Sequence, residues 1–199
     1  MSPRSKHLSE TMKAESRTAI LSGALELFAR KGFSATTTDE IAKKAGVSKG
    51  LIFTHFHTKE EILLTIFQEE ILGLIPNFDN EDGLASPREK FVQLIDKWFN
   101  VVETRPLLVR LALHLNLDDA YRKLMRKKGK QFMDQYFGRM RKLLVRLGSK
   151  TPDLDLHLLN FVFDGVTANY AVAPQLFPPI DAIRDHLVEV FLSRWEKRA

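Results

Sequence analysis

The sequence predicts an all-α protein with a group of short helices near its N-terminus and a longer helical domain after it. Apolar residues recur at helical spacing along most of the 199 residues. Residues that favour helix N-termini stand before these segments, and glycine or proline follows them. The composition, 44% hydrophobic and 28% charged, is typical of a globular protein with a buried core.

The first clear helical pattern covers residues 16–31. Ile20, Ala24 and Phe28 recur at intervals of four residues and therefore lie on one helix face. Gly32 follows this pattern, and glycine is the commonest residue just beyond a helix end. We therefore predict that the first helix ends there.

Three helix-start signals come next. Thr37 stands three residues before Glu40, a capping box in which the hydroxyl accepts from a backbone amide and the carboxylate reaches back to the cap. Ser48 is a favourable N-cap for a second short helix. Thr58 and Glu61 form another capping box, and the helix after it is predicted to reach about residue 75. Three starts within about 25 residues predict a compact trihelical unit.

Beyond this unit the pattern stays helical. Residues 77–86 are polar, contain a glycine and are the predicted linker. Pro106 predicts a break between two helices. Residues 109–117 alternate apolar and polar side chains, which fits a strand as well as a helix, and only the helical neighbours favour a helix. The predicted helices after the linker cover residues 87–104, 109–117, 118–147, 152–172 and 180–198.

The composition excludes several classes of protein. Cysteine is absent, which excludes disulfides, thiolate catalysis and Cys-based zinc sites. No apolar run reaches the roughly 18 residues that a membrane span needs, and the polar N-terminus lacks the apolar core of a secretion signal. These observations predict a cytoplasmic protein.

The net charge is concentrated at the N-terminus. Residues 1–60 contain ten Lys and Arg against six Asp and Glu, so they hold most of the +5 net charge of the chain. A basic segment of this kind is typical of proteins that neutralise nucleic-acid phosphates. Ordinary solvated surfaces carry similar excesses, so charge alone leaves both interpretations open.

Residues 41–50 favour a helix-turn-helix. This motif needs small residues where two helices touch, a tight turn, and short polar or basic side chains at the start of the second helix, which enters a major groove about 12 Å wide. Ala45 provides the small contact residue and Gly46 the turn. Ser48 and Lys49 then begin the second helix with the side chains that a groove requires.

The residues around this motif resemble the N-terminal signature of TetR-family transcriptional repressors over about residues 16–67. The resemblance implies a homodimer that binds a pseudopalindromic double-stranded DNA operator and is released by a small-molecule effector. It implies a DNA-binding domain at residues 1–58 and an effector-binding and dimerisation domain at residues 59–199. The residues that match the signature are Ala24–Phe28, Gly32–Phe33, Thr37–Thr38, Ile41–Ala42, Ala45–Ser48, Gly50, His55–Phe56 and Lys59–Glu60.

The resemblance also implies which side chains contact DNA. Thr38 would contact a phosphate, the second helix of the motif would reach base edges or backbone, and Lys59 would bind another phosphate at a helix N-terminus. Phe53 departs from the family, where tyrosine is usual and donates to a phosphate, so we expect one contact fewer. Individually, the lysines also fit solvated positions and His55 a packing position. The predicted DNA-binding residues are Thr37, Thr38, Ser48, Lys49, Gly50, Phe53, Thr54, His55 and Lys59.

Two further sets of residues are predicted in the C-terminal domain. Aromatic and polar residues there are candidates for an effector pocket, although each also fits an ordinary core position. The apolar faces of the last two helices are predicted to pair with their copies in a four-helix bundle, as the resemblance implies. The candidate pocket residues are Trp98, Phe99, His114, Phe132, Met133, Tyr136, Phe161, Asn169 and Tyr170. The candidate interface residues are Leu158, Leu159, Val162, Leu187, Val190, Phe191 and Trp195.

The remaining features support no catalytic or metal site. Asp153, Asp155 and His157 have a metal-like spacing, but the two aspartates point to different faces of a helix, where acids near the N-terminus are common anyway. The basic run over residues 122–150 fits a solvated helix face, an anionic ligand or flanking DNA. We expect no cofactor. Two alternatives stay open: an enzyme built on the helical domain, and a DNA-binding regulator without an effector.

Overall fold

The computed structural model describes residues 3–70 and 86–196, which contain helices and no strand. The all-α prediction is confirmed. The predicted linker, apart from Ser86, and the predicted continuation of the fourth helix to residue 75 lie outside the described residues. The helices are α1 (Pro3–Lys31), α2 (Thr38–Ala45), α3 (Lys49–His55), α4 (Lys59–Glu70), α5 (Pro87–Thr104), α6 (Pro106–Asn116), α7 (Asp119–Lys128), α8 (Lys130–Arg146), α9 (Pro152–Val172) and α10 (Ile180–Glu196).

The helices form two compact units. The first unit comprises Met1–Glu69 and Arg110–Lys127, and the second comprises Glu70–Val109 and Lys128–Ala199. The chain therefore passes from one unit to the other at the end of α4, within α6 and again at the end of α7. The predicted boundary between a DNA-binding domain (residues 1–58) and an effector-binding domain (residues 59–199) is a division by function, and it stays a prediction.

The first unit is built on the packing of α1 against α2. Gly23 of α1 makes this contact close, because a Cβ atom at that position would lie 3.3 Å from the backbone nitrogen of Ala45. Apolar side chains from all the helices of this unit fill its core. Removing them from water stabilises the fold by about 25 cal/mol per Å² of apolar surface. The largest fully buried side chains here are Ile20, Phe28, Phe33, Ile41, Ile52, Ile62, Leu63, Leu111 and Leu115.

The second unit has an aromatic core between α5, α8, α9 and α10. Phe91 of α5 packs edge to face against Trp195 of α10, with 5.3 Å between the ring centroids. Trp98 stacks on Phe163 of α9 with 4.2 Å between the centroids. The buried members of this core are Phe91, Leu94, Ile95, Phe99, Met140, Leu143, Leu144, Leu156, Leu159, Phe163, Leu187, Phe191, Leu192 and Trp195.

Two helices differ in extent from their sequence patterns. The first helix begins at Pro3, before the periodic pattern of residues 16–31, because residues 3–15 carry good helix formers but no apolar stripe that periodicity detects. The single helix predicted over residues 118–147 is two helices, α7 and α8, which are separated at Gly129. Glycine costs about 1 kcal/mol in a helix interior, which explains an interruption at this residue.

The helix between residues 106 and 116 has the predicted type, and α5 ends one residue before Arg105, where Pro106 prevents its continuation. None of the described helices combines the length and the apolar character that crossing a membrane requires.

Candidate nucleic-acid interface

Helices α2 and α3 form the predicted helix-turn-helix, and side-chain caps determine its ends. The Thr37 hydroxyl accepts from the Glu40 amide while the Glu40 carboxylate accepts from the Thr37 amide, so the predicted capping box is present. Gly46 ends α2 in the left-handed conformation, with φ +69°, which favours glycine. Ser48 caps α3 by accepting from the Leu51 amide at 3.2 Å.

The cap of α2 is electrostatically fixed at neutral pH. Lys31 donates to the Glu40 carboxylate, and the Thr37 amide and hydroxyl donate to it as well; together they lower the pKa of Glu40 to about 2. The carboxylate therefore stays ionised and keeps the first turn of α2 in place. The Thr37 hydroxyl donates to Glu40 at 2.8 Å, so its proton is used within the cap.

One face of α3 is exposed and carries four of the predicted contact residues. Lys49, Gly50, Phe53 and Thr54 are all exposed, and their spacing places them on one side of the helix. Ile52, on the opposite side, is fully buried in the first unit. The helix is therefore anchored by its inner face and presents a basic, small and apolar surface outward.

The polar groups on this face already have intramolecular partners. The Lys49 ammonium lies 2.7 Å from an Asp39 carboxylate oxygen of α2, and both side chains are more than half exposed. The Thr54 hydroxyl donates to the Leu51 carbonyl oxygen at 2.7 Å. An exposed ion pair contributes little stability, so Lys49 can exchange Asp39 for a phosphate or a base edge at small cost.

His55 lies apart from this exposed face. Its Nε2 is 2.8 Å from the Ser16 hydroxyl of α1, and its ring is tilted against Phe56. Burial lowers the pKa of His55, and the positive charges of Lys13 and Arg17 lower it further. His55 therefore joins the end of α3 to α1 as a largely neutral imidazole at neutral pH.

Lys59, the predicted phosphate contact on α4, binds the turn between α1 and α2. Its ammonium donates to the carbonyl oxygens of Phe33 at 3.0 Å, Ser34 at 3.3 Å and Thr36 at 3.0 Å. It also lies 4.6 Å from the centroid of the Phe33 ring, a cation–π contact. An ammonium has three protons, and all three are used here. The contact of Lys59 with a phosphate stays a prediction.

The candidate pocket residues are dispersed. Trp98 and Phe99 pack edge to face within the aromatic core, with 4.9 Å between centroids, and Phe99 also borders a cavity of about 510 Å³ that is lined mainly by residues of α5. Tyr136 donates to Asn160 at 2.9 Å, and its burial raises the pKa of its hydroxyl to about 12. His114 belongs to the first unit and has a buried Nδ1 without a hydrogen-bond partner among the described residues.

Other candidate pocket residues lie at the surface of the second unit or close to it. Phe161 is 70% exposed on α9, and Asn169 is exposed as well. Tyr170 donates to the Pro178 carbonyl oxygen, and Met133 is half-buried on α8. The side chain of Phe132 lies outside the described residues. A shared pocket for the whole candidate set stays a prediction.

The candidate interface residues separate into core and surface. Leu159, Leu187, Phe191 and Trp195 are buried in the second unit. Apolar side chains of α9 and α10 also border a groove of about 310 Å³, which is lined by Leu158, Val162, Ile183, His186, Leu187, Val190, Phe191 and Arg194. The apolar groove lies on the two helices that sequence reasoning assigned to dimerisation.

Sequence reasoning missed two buried or half-buried aspartates. Asp155 accepts from the Ser149 hydroxyl at 2.6 Å and from the Trp195 indole at 2.9 Å, so it joins the start of α9 to the end of α10. Asp118 accepts from Ser34, 84 residues away in sequence. The only sequence signal was an acid beside a helix start, which local capping explains equally well.

Comparison with known proteins identifies the family. Residues 20–66, which span the C-terminal part of α1, all of α2 and α3 and most of α4, match the family described as bacterial regulatory proteins, tetR family. The chain carries the N-terminal domain of the TetR family. Members of this family are DNA-binding transcription regulators, so the exposed face of α3 is the candidate DNA-binding surface of this domain.

Individual TetR-family relatives match different shares of the chain. The uncharacterized HTH-type transcriptional regulator YerO of Bacillus subtilis is 47% identical over 88 residues, which are 43% of this chain and 30% of that relative. The chain thus spans less than a third of that relative's length in the alignment. The HTH-type transcriptional repressor KstR2 of Mycolicibacterium smegmatis is 28% identical over 154 residues, 73% of each chain.

A likeness of fold to a solved structure extends to the second unit. The crystal structure of the transcriptional regulator FadR from Bacillus subtilis, in complex with stearoyl-CoA, superposes with a TM-score of 0.71. It shares 21% sequence identity, and the match covers 88% of this chain and 97% of that one. At this identity the likeness shows the fold, and stearoyl-CoA is a ligand of that protein.

Proposed function

We propose that the chain is a ligand-responsive transcriptional repressor that binds a pseudopalindromic operator as a homodimer and is released by a small-molecule effector. The observation that carries the proposal is the exposed face of α3, which presents Lys49, Gly50, Phe53 and Thr54. Lys49 and Thr54 offer hydrogen bonds to base edges or phosphates, and Gly50 allows close approach of the backbone. The protein acts in the cytoplasm, where its operator lies, and has no enzymatic activity.

The second half of the proposal concerns the effector. Repression is supported by the relative KstR2, a transcriptional repressor. An effector in the C-terminal domain is supported by the FadR fold relative that binds stearoyl-CoA. Residues 1–58 then bind DNA and residues 59–199 bind the effector and the second subunit.

Dimerisation is proposed through α9 and α10. Leu158 and Val190 are 42% and 46% exposed beside the apolar groove, and Phe161 is 70% exposed on α9. Contact with the same helices of a second copy removes these side chains from water, which is the main driving force for such association. A two-fold dimer places the two copies of α3 about one DNA turn apart, roughly 34 Å, and this requires a pseudopalindrome.

The first experiment measures binding to the DNA upstream of the gene for this chain and its neighbours, by fluorescence anisotropy across a salt series. Lys49→Ala should weaken binding and reduce the salt slope, by about 0.9 if the lost contact is to a phosphate. Lys97→Ala, which removes the same charge from an exposed site on α5, is the matched control. An affinity that is unchanged by Lys49→Ala contradicts the assignment of α3 as the reader.

The second experiment tests the effector with stearoyl-CoA as the first probe. Binding to the native state should raise the thermal midpoint of the protein and release the operator at the same concentration. Other acyl chain lengths and efflux-pump substrates follow as further probes. A regulator without an effector would bind the operator equally in the presence of every probe.

The third experiment tests the dimer interface. Leu158→Glu buries a charge in the proposed interface and should shift the protein from dimer to monomer in analytical ultracentrifugation. Leu154→Glu places the same charge on a residue that is 69% exposed, one turn earlier on α9 and outside the residues that line the groove. A dimer that survives Leu158→Glu unchanged contradicts the α9–α10 interface.

A further inference from the structure

The turn between α1 and α2 is bound to a residue far along the chain. The Ser34 amide donates to one carboxylate oxygen of Asp118 at 3.0 Å, and the Ser34 hydroxyl donates to the other at 2.8 Å. Both residues belong to the first unit. Two parallel hydrogen bonds to an ionised carboxylate fix orientation as well as distance, and each is stronger than a neutral one.

The same carboxylate begins α7. One oxygen of Asp118 accepts from the amides of Ala120 at 2.8 Å and Tyr121 at 3.0 Å, which are free at a helix start. Partial burial raises the pKa of Asp118, but the hydrogen bonds from Tyr121, Ser34 and Ala120 outweigh burial, so the pKa is lowered overall. Asp118 therefore stays ionised and connects the first turn of α7 with the α1–α2 turn.

Neighbouring contacts hold this connection in place. The Phe67 ring of α4 stacks on the Tyr121 ring of α7, with 5.8 Å between centroids and 30° between the planes. The Lys59 ammonium binds three carbonyl oxygens of the same turn, including that of Ser34. The Lys59 ammonium of α4 therefore binds the carbonyl groups of the turn, and the Asp118 carboxylate before α7 binds the Ser34 amide and hydroxyl.

The α1–α2 turn leads directly into the helix-turn-helix. Thr36 is buried and its hydroxyl donates to the Gly32 carbonyl oxygen at 2.8 Å, and the next residue, Thr37, caps α2. Helix α2 in turn packs against α3, whose exposed face is the proposed DNA-binding surface. The position of the α1–α2 turn therefore constrains where α2 starts.

We propose that Asp118 is a positioning residue for operator binding, although it lies just before α7 and outside the helix-turn-helix. Its carboxylate orders the α1–α2 turn through Ser34 and so holds α2 and α3 in the conformation that fits the groove. The inference rests on the proposed reading of DNA by α3. When the carboxylate is lost, the turn samples more conformations, and DNA must order it during binding, which weakens affinity.

Two variants separate the role of Asp118 in the turn from its role as a helix cap. Ser34→Ala removes the hydroxyl bond and leaves the α7 cap intact. Asp118→Asn retains one oxygen that accepts from the α7 amides, but its amide nitrogen cannot accept from Ser34. Asp119→Asn, which removes the same charge from the adjacent exposed residue, is the matched control.

Operator affinity is the first readout. Ser34→Ala and Asp118→Asn should each weaken binding by about tenfold, the equivalent of one charge-assisted hydrogen bond, while Asp119→Asn binds like the wild type. The double variant Ser34→Ala/Asp118→Asn should lose more than either single variant but less than the sum of the two, because the changes remove different hydrogen bonds that hold the same turn. Losses that add fully, or affinities equal to that of Asp119→Asn, overturn the proposal.

Amide hydrogen exchange of the free full-length chain is the second readout. Residues 33–42 should exchange faster in Ser34→Ala and Asp118→Asn than in Asp119→Asn, whereas the core of the first unit exchanges alike in the three variants at a temperature where all are folded. Equal exchange in this segment overturns the positioning role. If the wild type binds no operator, the proposed function fails by itself, and the exchange comparison still decides whether Asp118 orders the turn.

Discussion

Replacing Lys59 by methionine separates a structural role from a DNA contact. Methionine keeps the length of the apolar stem and removes the ammonium, together with its hydrogen bonds to the carbonyl oxygens of Phe33, Ser34 and Thr36. Hydrogen bonds to charged groups contribute about 1.5–3 kcal/mol each. The three share one cation and the carbonyl groups are partly hydrated afterwards, so we expect a total loss of about 2–4 kcal/mol.

Urea unfolding measures this loss as a lower transition midpoint with an unchanged slope. The salt dependence of operator binding is measured on the same protein at a temperature where it is folded. A structural Lys59 leaves the slope unchanged, because no phosphate contact is removed. Lys49→Met is the matched control and should do the reverse, reducing the slope without lowering stability, since its ion pair with Asp39 is exposed.

The reasoning on Lys59 is refuted by the opposite pattern. A Lys59→Met protein with wild-type stability and a salt slope reduced by about 0.9 would show that the ammonium leaves the turn and binds a phosphate.

Three further predictions concern α2 and α3. Asp39→Asn frees Lys49 from its ion pair and removes a negative charge near the DNA, so operator affinity measured by anisotropy should rise a few-fold, with Asp153→Asn as control. Phe53→Tyr supplies a hydroxyl and should tighten binding by about 0.5–1.5 kcal/mol for all DNA sequences alike, because a phosphate contact carries no sequence information. Folding lowers the pKa of His55 from 6.5, so the free energy of unfolding is highest above pH 6.5 and decreases as the pH falls below it. His55→Gln should therefore reduce the change in urea midpoint between pH 7.5 and 5.5.

The local features of the helix-turn-helix were predictable from sequence. Thr37 and Ser48 cap α2 and α3 as expected, and Gly46 ends α2 in the left-handed conformation. These signals work because caps and turns depend on side chains within three or four residues of each other. The exposed and buried faces of α3 also follow from its short apolar pattern.

Long-range contacts were not predictable. The roles of Lys59 in the α1–α2 turn and of Asp118 at Ser34 depend on side chains 23 to 84 residues apart, which no local pattern encodes. The candidate pocket residues were selected by residue type, but type does not distinguish Trp98, packed in the core, from Phe161, exposed on α9. An effector site depends on how helices diverge, and periodicity contains no information about that separation.

The close approach at Gly23 gives an independent way to tune the protein by design. A methyl group at this position would lie 3.3 Å from the Ala45 nitrogen and from the Lys44 Cγ, so α2 would have to shift by a few tenths of an ångström. A graded series of small side chains at residue 23 would therefore act as spacers that tilt the recognition motif without altering any residue that faces DNA. Biosensors that respond at different effector concentrations need this separation, because the affinity for the operator can then be changed without changing the operator sequence that is recognised.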